Sequence, residues 1–239
     1  MHYCRRQPIL SSLFFTLSPA ILLYFVALNL FLCMELAEPH RYFVVNKPYD
    51  MLSQFKSERE AALLGDLNFN FPAGTHAIGR LDKQSEGLLL LTTNKKITRL
   101  LFQGDIPHTR TYLVRVKNTI TEASLQAMRA GLPIRGKGGE NYLTAPCPVQ
   151  VVNEPEDLFQ PSQSFPLYPP YTWLTITLTE GKFRQIRKMT AALHHRCQRL
   201  IRTAIEDILL GDLQPGEVRE LSEEAFFSGL HIPLTVSTA

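Results

Sequence analysis

Apolar residues fall in short runs along this chain, and their spacing alternates between strand and helix periods. Residues 41–46 (RYFVVN) form a β-branched and aromatic run that ends at Lys47-Pro48, as a first strand leaving into a loop would. Residues 49–73 are mixed in character and predict a long loop with little regular structure. Residues 76–81 and 88–92 are apolar runs on either side of a polar, glycine-containing turn, and the second has the unbroken apolarity of a buried strand. Asn94 can cap a helix reaching about Phe102, with Ile97, Leu100 and Leu101 on one face. Residues 111–116 (TYLVRV) alternate as a strand. Thr121 caps a second helix that carries Ala123, Leu125 and Met128 and stops at Gly131.

Residues 136–170 are rich in glycine and proline, with short strands expected only near 142–145 and 148–152. The stretch 161–170 reads as an insertion or lid rather than core. Residues 173–178 (WLTITL) are the cleanest period-2 strand. A helix is expected over 182–193, a strand over 200–208, and a last helix from Ser222 to about Phe227. No internal repeat and no regular βαβ alternation is visible. An α+β fold follows, with a mixed, mostly antiparallel sheet flanked by helices.

The beginning of the chain departs from this pattern. Residues 7–34 carry no formal charge and are long enough to cross a bilayer, which takes roughly 20 apolar residues. Arg5 and Arg6 would hold the N-terminus in the cytoplasm and export the rest of the chain. A cleaved signal fits less well, since the apolar stretch is long and no A-x-A-like site comes after it. The third reading is a misassigned start with Met34 as initiator, because ordinary globular composition begins there. We favour it, so residues 1–33 are expected to be a leader outside the functional domain, which spans 40–230.

The whole chain has 239 residues, 45% hydrophobic and 20% charged, with a formal charge of +3. This composition excludes a disordered tail, a collagen and a polytopic membrane protein. Cys4, Cys33, Cys147 and Cys197 are dispersed, without a CxxC pair or zinc-type histidine spacing, so no disulfide framework or metal site is expected. Adjacent His194 and His195 point to different sides of a helix and are poor joint ligands.

Two constellations could carry chemistry. In Gly79-Arg80-Leu81-Asp82, followed by Ser85-Glu86-Gly87, the arginine and aspartate two apart share a side of an extended chain, where a surface ion pair is the plain alternative. From Lys182 to Arg202 there are Lys182, Arg184, Arg187, Lys188, Arg196, Arg199 and Arg202, with no acidic residue. Placed on the expected helix, Arg184, Arg187 and Lys188 share the face opposite Ile186 and Met189. Such a patch can neutralise phosphates, or can simply be a solvated face. Tyr112 is either a half-buried sheet residue or an aromatic platform for a base.

GRLDKQSEGLLLLTTN (79–94), the strand around Tyr112 and Val114, and EGKFRQIRKM (180–189) resemble the three motifs of bacterial ribosomal RNA pseudouridine synthases. NKPYDMLSQF (46–55) is most similar to a branch that acts on the large ribosomal subunit, which lacks the S4 RNA-binding module of many relatives. The resemblance implies the pseudouridine synthase catalytic fold, an active-site cleft across the sheet, and isomerisation of a flipped uridine of 23S rRNA or of an assembling large subunit, without metal or cofactor. It implies catalytic roles for Asp82, Tyr112 and Arg187, with Asp82 as nucleophile or base and Arg187 as its ion-pair partner. It implies RNA contacts by Arg80, Lys182, Arg184, Lys188 and Arg199. A cytoplasmic monomer is expected, meeting a membrane only if the leader is real. The competing readings are a catalytically silent RNA chaperone and a membrane-anchored protein.

Overall fold

The computed structural model describes residues 39–103, 107–136, 138–160 and 170–234. The leader and nearly all of the 161–170 stretch lie outside them. Among the described residues no helix is long and apolar enough to cross a membrane.

The strands are β1 (Tyr42–Lys47), β2 (His76–Ala77), β3 (Glu86–Thr92), β4 (Arg110–Lys117), β5 (Pro133–Arg135), β6 (Asn141–Leu143), β7 (Val149–Val152), β8 (Tyr171–Leu178), β9 (Cys197–Ile205), β10 (Ile208–Leu209) and β11 (Val218–Leu221). The helices are α1 (Ile97–Gln103), α2 (Glu122–Ala130), α3 (Gln185–Ala192) and α4 (Glu223–Gly229). One sheet runs in the order β11-β1-β3-β9-β4-β8-β7, with β10 on β9 and β2 on β3, while β5 and β6 form a separate hairpin. Every ladder in it is antiparallel except the short β3–β9 pairing, where Glu86 faces Ile201 and Gly87 faces Arg202. The mixed, mostly antiparallel α+β arrangement is therefore as expected. β9, late in the chain, closes the gap between β3 and β4.

Both faces of the sheet centre are covered, which explains why β1 and β3 are buried at every position. Alternation sends Tyr42, Val44, Leu88 and Leu90 towards Phe226 and Phe227 of α4 on one face. Phe43, Val45, Leu89 and Leu91 meet Met51, Leu64 and Leu67 on the other. The long 49–73 segment has only a 3-10 turn at Leu64–Asp66, yet Phe55, Phe69 and Phe71 make it a packed layer. α2 and α3 cover the β4–β8–β7 side through Leu125, Met128, Ile186 and Met189.

Thr121 and Ser222 accept from the backbone N–H of Ser124 and Ala225 (both 3.2 Å), so both expected caps form. Three local expectations change. The strand expected over 76–81 is only two residues long, because the chain turns at once towards Asp82. Helix α3 starts at Gln185 rather than Lys182, with Arg184 as a left-handed N-cap (φ 53°). β5 and β11 come from segments with no clear strand pattern. The core also takes in Phe159, just ahead of the expected insertion.

Candidate active site

The segment between β2 and β3 presents Asp82 half-buried, on a turn closed by a bond from Ser85 N–H to the Asp82 carbonyl (2.9 Å). Two groups from the neighbouring chain pin it. Ser53 Oγ donates to the Leu81 carbonyl (2.9 Å) and accepts from the Leu81 N–H (3.0 Å). Lys47, fully buried at the end of β1, donates from Nζ to the carbonyls of Pro48 (2.7 Å), Met51 (2.9 Å) and Lys83 (3.4 Å). Burial pushes the Lys47 amine down to about 7, against the pull of the Glu86, Asp50 and Asp82 carboxylates. From sequence Lys47 is only a strand end. A lysine closing an otherwise apolar run is the one local signal that it lies inside.

The start of β3 anchors the turn to the sheet. Glu86 receives Arg199 in a bidentate pair, Nε to Oε2 at 2.9 Å and Nη2 to Oε1 at 3.2 Å, with only 1% and 4% of the two side chains exposed. Arg199 Nη2 also reaches the Phe159 carbonyl (3.0 Å). Gly87, with φ at +96°, lies so close to β9 that a Cβ would come within 2.4 Å of the Arg202 carbonyl oxygen. Only glycine permits this approach. Gly87, Arg202 and Tyr112 stand in one row across β3, β9 and β4, which places Tyr112 at the sheet centre, two strands from Gly87.

The segment leading into α3 is built around Glu180. Its Oε1 accepts from Gln185 Nε2 (2.6 Å) and the Ala145 N–H (3.0 Å), and its Oε2 accepts from the Tyr142 hydroxyl. Gln185 Oε1 in turn accepts from the Lys182 N–H (3.1 Å). These two residues of the third motif are scaffold, a role that nothing in their sequence pattern signals. They hold the cations in place. Arg184 donates to Gln84 Oε1 (3.3 Å), and Arg187 Nη2 donates to the Gln84 carbonyl (2.6 Å) and Ser85 Oγ (3.4 Å). Lys182 sits 4.3 Å from the Tyr142 ring centroid, and Lys188 donates to the Arg135 carbonyl with its amine 5.0 Å from the Phe183 centroid.

The expected residues thus separate. Arg184 and Arg187 are brought onto the Asp82 turn, Lys182 and Lys188 lie against the β5–β6 hairpin, and Arg80 is exposed two residues before Asp82. Two expectations are corrected. Among the described residues no cation lies within 4 Å of the Asp82 carboxylate, so Arg187 does not pair with it. Arg187 is drawn instead to the carbonyl two residues on. Arg199 does not face RNA: Glu86 compensates its charge inside the protein, where no solvent-borne ligand reaches it.

The family model described as RNA pseudouridylate synthase matches residues 41–192. A ribosomal large subunit pseudouridine synthase E of Vibrio vulnificus is 38% identical over 79% of this chain and 78% of its own length. A protein of the same name from Xanthomonas axonopodis pv. citri is 34% identical over 72% of this chain and 89% of its own length. A crystal structure of a pseudouridylate synthase superposes with a TM-score of 0.66 at 25% identity, covering 82% of this chain and 75% of that one. The fold, the order of its motifs and these relatives agree: the chain belongs to the RNA pseudouridylate synthase family and is an RNA pseudouridine synthase, an isomerase.

Proposed function

We propose that the substrate is a uridine of 23S rRNA, free or in an assembling large subunit, and that Asp82 is the catalytic carboxylate. The observation that carries this reading is the placement of Asp82: half-buried, on a turn pinned by Ser53 and Lys47, and flanked by Arg184 and Arg187. The large-subunit names of the bacterial relatives support the choice of RNA.

A uridine inside a stack is out of reach, so it swings out at a cost of about a few kcal/mol, offset by stacking and phosphate contacts. The Asp82 carboxylate then acts at the ribose, as nucleophile or as base. The bond from uracil N1 to C1′ breaks, the ring turns, and a bond from C5 to C1′ forms. C5 gives up its proton and N1 ends protonated, so the product is an isomer with no redox change. Tyr112 stacks on the flipped base or assists that proton transfer. Arg187 is a positioning residue that holds the Gln84-Ser85 backbone and with it the Asp82 turn. Lys182, Arg184 and Lys188 take phosphates, and Arg80 braces the RNA where the uridine has left. The catalytic unit is residues 40–230, acting as a monomer in the cytoplasm, where ribosomes assemble.

The test is Asp82→Asn. Pseudouridine formation on a 23S rRNA transcript is abolished, while RNA affinity stays within about tenfold, or 1.4 kcal/mol. Undiminished turnover by that variant refutes the assignment, and mapping pseudouridines in cells with and without the protein identifies the uridine.

A further inference from the structure

Beside the Asp82 turn lies a cavity of about 720 Å³ whose walls include Gln84, Lys117, Arg184, Arg187, Arg196 and Gln198. We propose that it holds a second nucleotide of the same RNA strand, one that flanks the target uridine, by its phosphate and its base edge. This rests on the reading of Asp82 as the site where the target is placed.

Charge is the first argument. Four cations converge from the end of β4, the N-cap and first turn of α3, and the chain entering β9, and among the described residues no carboxylate lines the cavity. Concave walls of one sign concentrate a field that attracts an anion. Size is the second. A bare phosphate would leave most of the volume empty, whereas cavities of about 300–1,000 Å³ suit small organic ligands of nucleotide dimensions.

Unused hydrogen-bonding capacity is the third. Gln198 Oε1 and Arg187 Nε are both buried and have no partner among the described residues. Buried polar atoms are normally paired, and neither of these is open to solvent, so a turn of the Gln198 or Arg187 side chain towards the cavity would give each the partner it lacks. An amide oxygen accepts from a base N–H, and a guanidinium N–H donates to phosphate. Position is the fourth. Gln84 lines the cavity two residues from Asp82, and two residues span at most about 7 Å, a separation that neighbouring nucleotides bridge. Lys117, Arg196 and Gln198 lie outside all three family motifs, so they are free to select sequence around the target without altering the chemistry.

The test uses the full chain and a 23S rRNA transcript fragment containing the mapped uridine. Lys117→Ala combined with Arg196→Ala raises KM about tenfold, with a much smaller change in kcat, and lowers the salt slope of binding by about 0.7 for each phosphate no longer neutralised. Both side chains are exposed, so the fold tolerates the change. Arg219→Ala, on β11 at the far edge of the sheet, leaves the slope as it was. Replacing each flanking base in turn by an abasic ribose raises the wild-type KM about fivefold at one position, and that position loses its effect in Gln198→Leu.

Wild-type KM and salt slope in the double variant, or neutrality of every abasic position, overturns the proposal. Micromolar binding of uridine monophosphate that the double variant abolishes, with RNA affinity unchanged, makes this a free-nucleotide site and also overturns it. If Asp82→Asn still turns over, the catalytic reading fails, whereas equilibrium binding by the cavity variants still decides this one.

Discussion

The basic run from Lys182 to Arg202 splits into two regions with opposite uses. In its first part Lys182 and Arg184 are exposed, and Arg187 and Lys188 are half-buried at the surface around α3. In its last part Arg199 and Arg202 lie on β9, each 4% exposed, one paired with Glu86 and the other donating to the Leu88 carbonyl (2.8 Å). Density of charge along a sequence therefore does not give charge on a surface. A strand covered on both faces turns its arginines into internal ties, whereas a helix with one free face leaves them for a ligand.

The largest effect that would break this contrast is in the buried half. Arg199→Ala leaves Glu86 unpaired in the interior and costs about 3–5 kcal/mol in urea unfolding, and the paired change Glu86→Leu with Arg199→Leu recovers most of it. Gly87→Ala comes next, at about 3 kcal/mol, since the added methyl meets the β9 backbone and nothing flexible can yield. Lys47 sharpens the comparison through pH. Its folded value of about 7 lies below the ordinary 10.5, so the unfolded chain binds more protons between them. Stability therefore rises as pH goes from about 7 towards 10.5, and Lys47→Met removes that rise in unfolding curves.

The surface half gives smaller stability effects and larger functional ones. Arg187→Ala costs about 1 kcal/mol in the fold and lowers single-turnover pseudouridine formation at least about tenfold. Arg184→Gly relieves a left-handed side-chain residue and gains about 0.5–1 kcal/mol, while RNA binding loses about 0.7 from its salt slope. A stabilised variant that binds RNA less well is the sign of strain retained for a ligand.

Much of the fold is legible in the sequence because its signals are local. Period-2 runs, the Thr121 and Ser222 caps and the stop at Gly131 depend on neighbours in the chain. The site is legible as three motifs, but its internal pairing is not. Glu86 and Arg199 are 113 residues apart, and no spacing rule announces that one will neutralise the other. β5 and β11 escape notice for a related reason, since exposed edge strands need no apolar pattern to pair. The left-handed turn at Arg184 is hidden because arginine is an ordinary helix former, and the bonds from Tyr142 and Ala145 that fix Glu180 come from more than thirty residues away.

The late insertion of β9 has a bearing on how the enzyme is made. Before residues 197–205 leave the ribosome, β1 with β3 and β4 with β8 are separate sheets, each with an open edge. Contacts so distant in sequence form slowly, and unpaired edges invite other chains to add to them. A nascent chain stopped before β9 would keep the Ser53 and Lys47 bonds to the Asp82 segment but would leave Glu86 without Arg199 and carry two sticky edges. The same strand that joins the two sheets and pairs Glu86 also closes both of those edges, while the outer edge of β1 waits for β11.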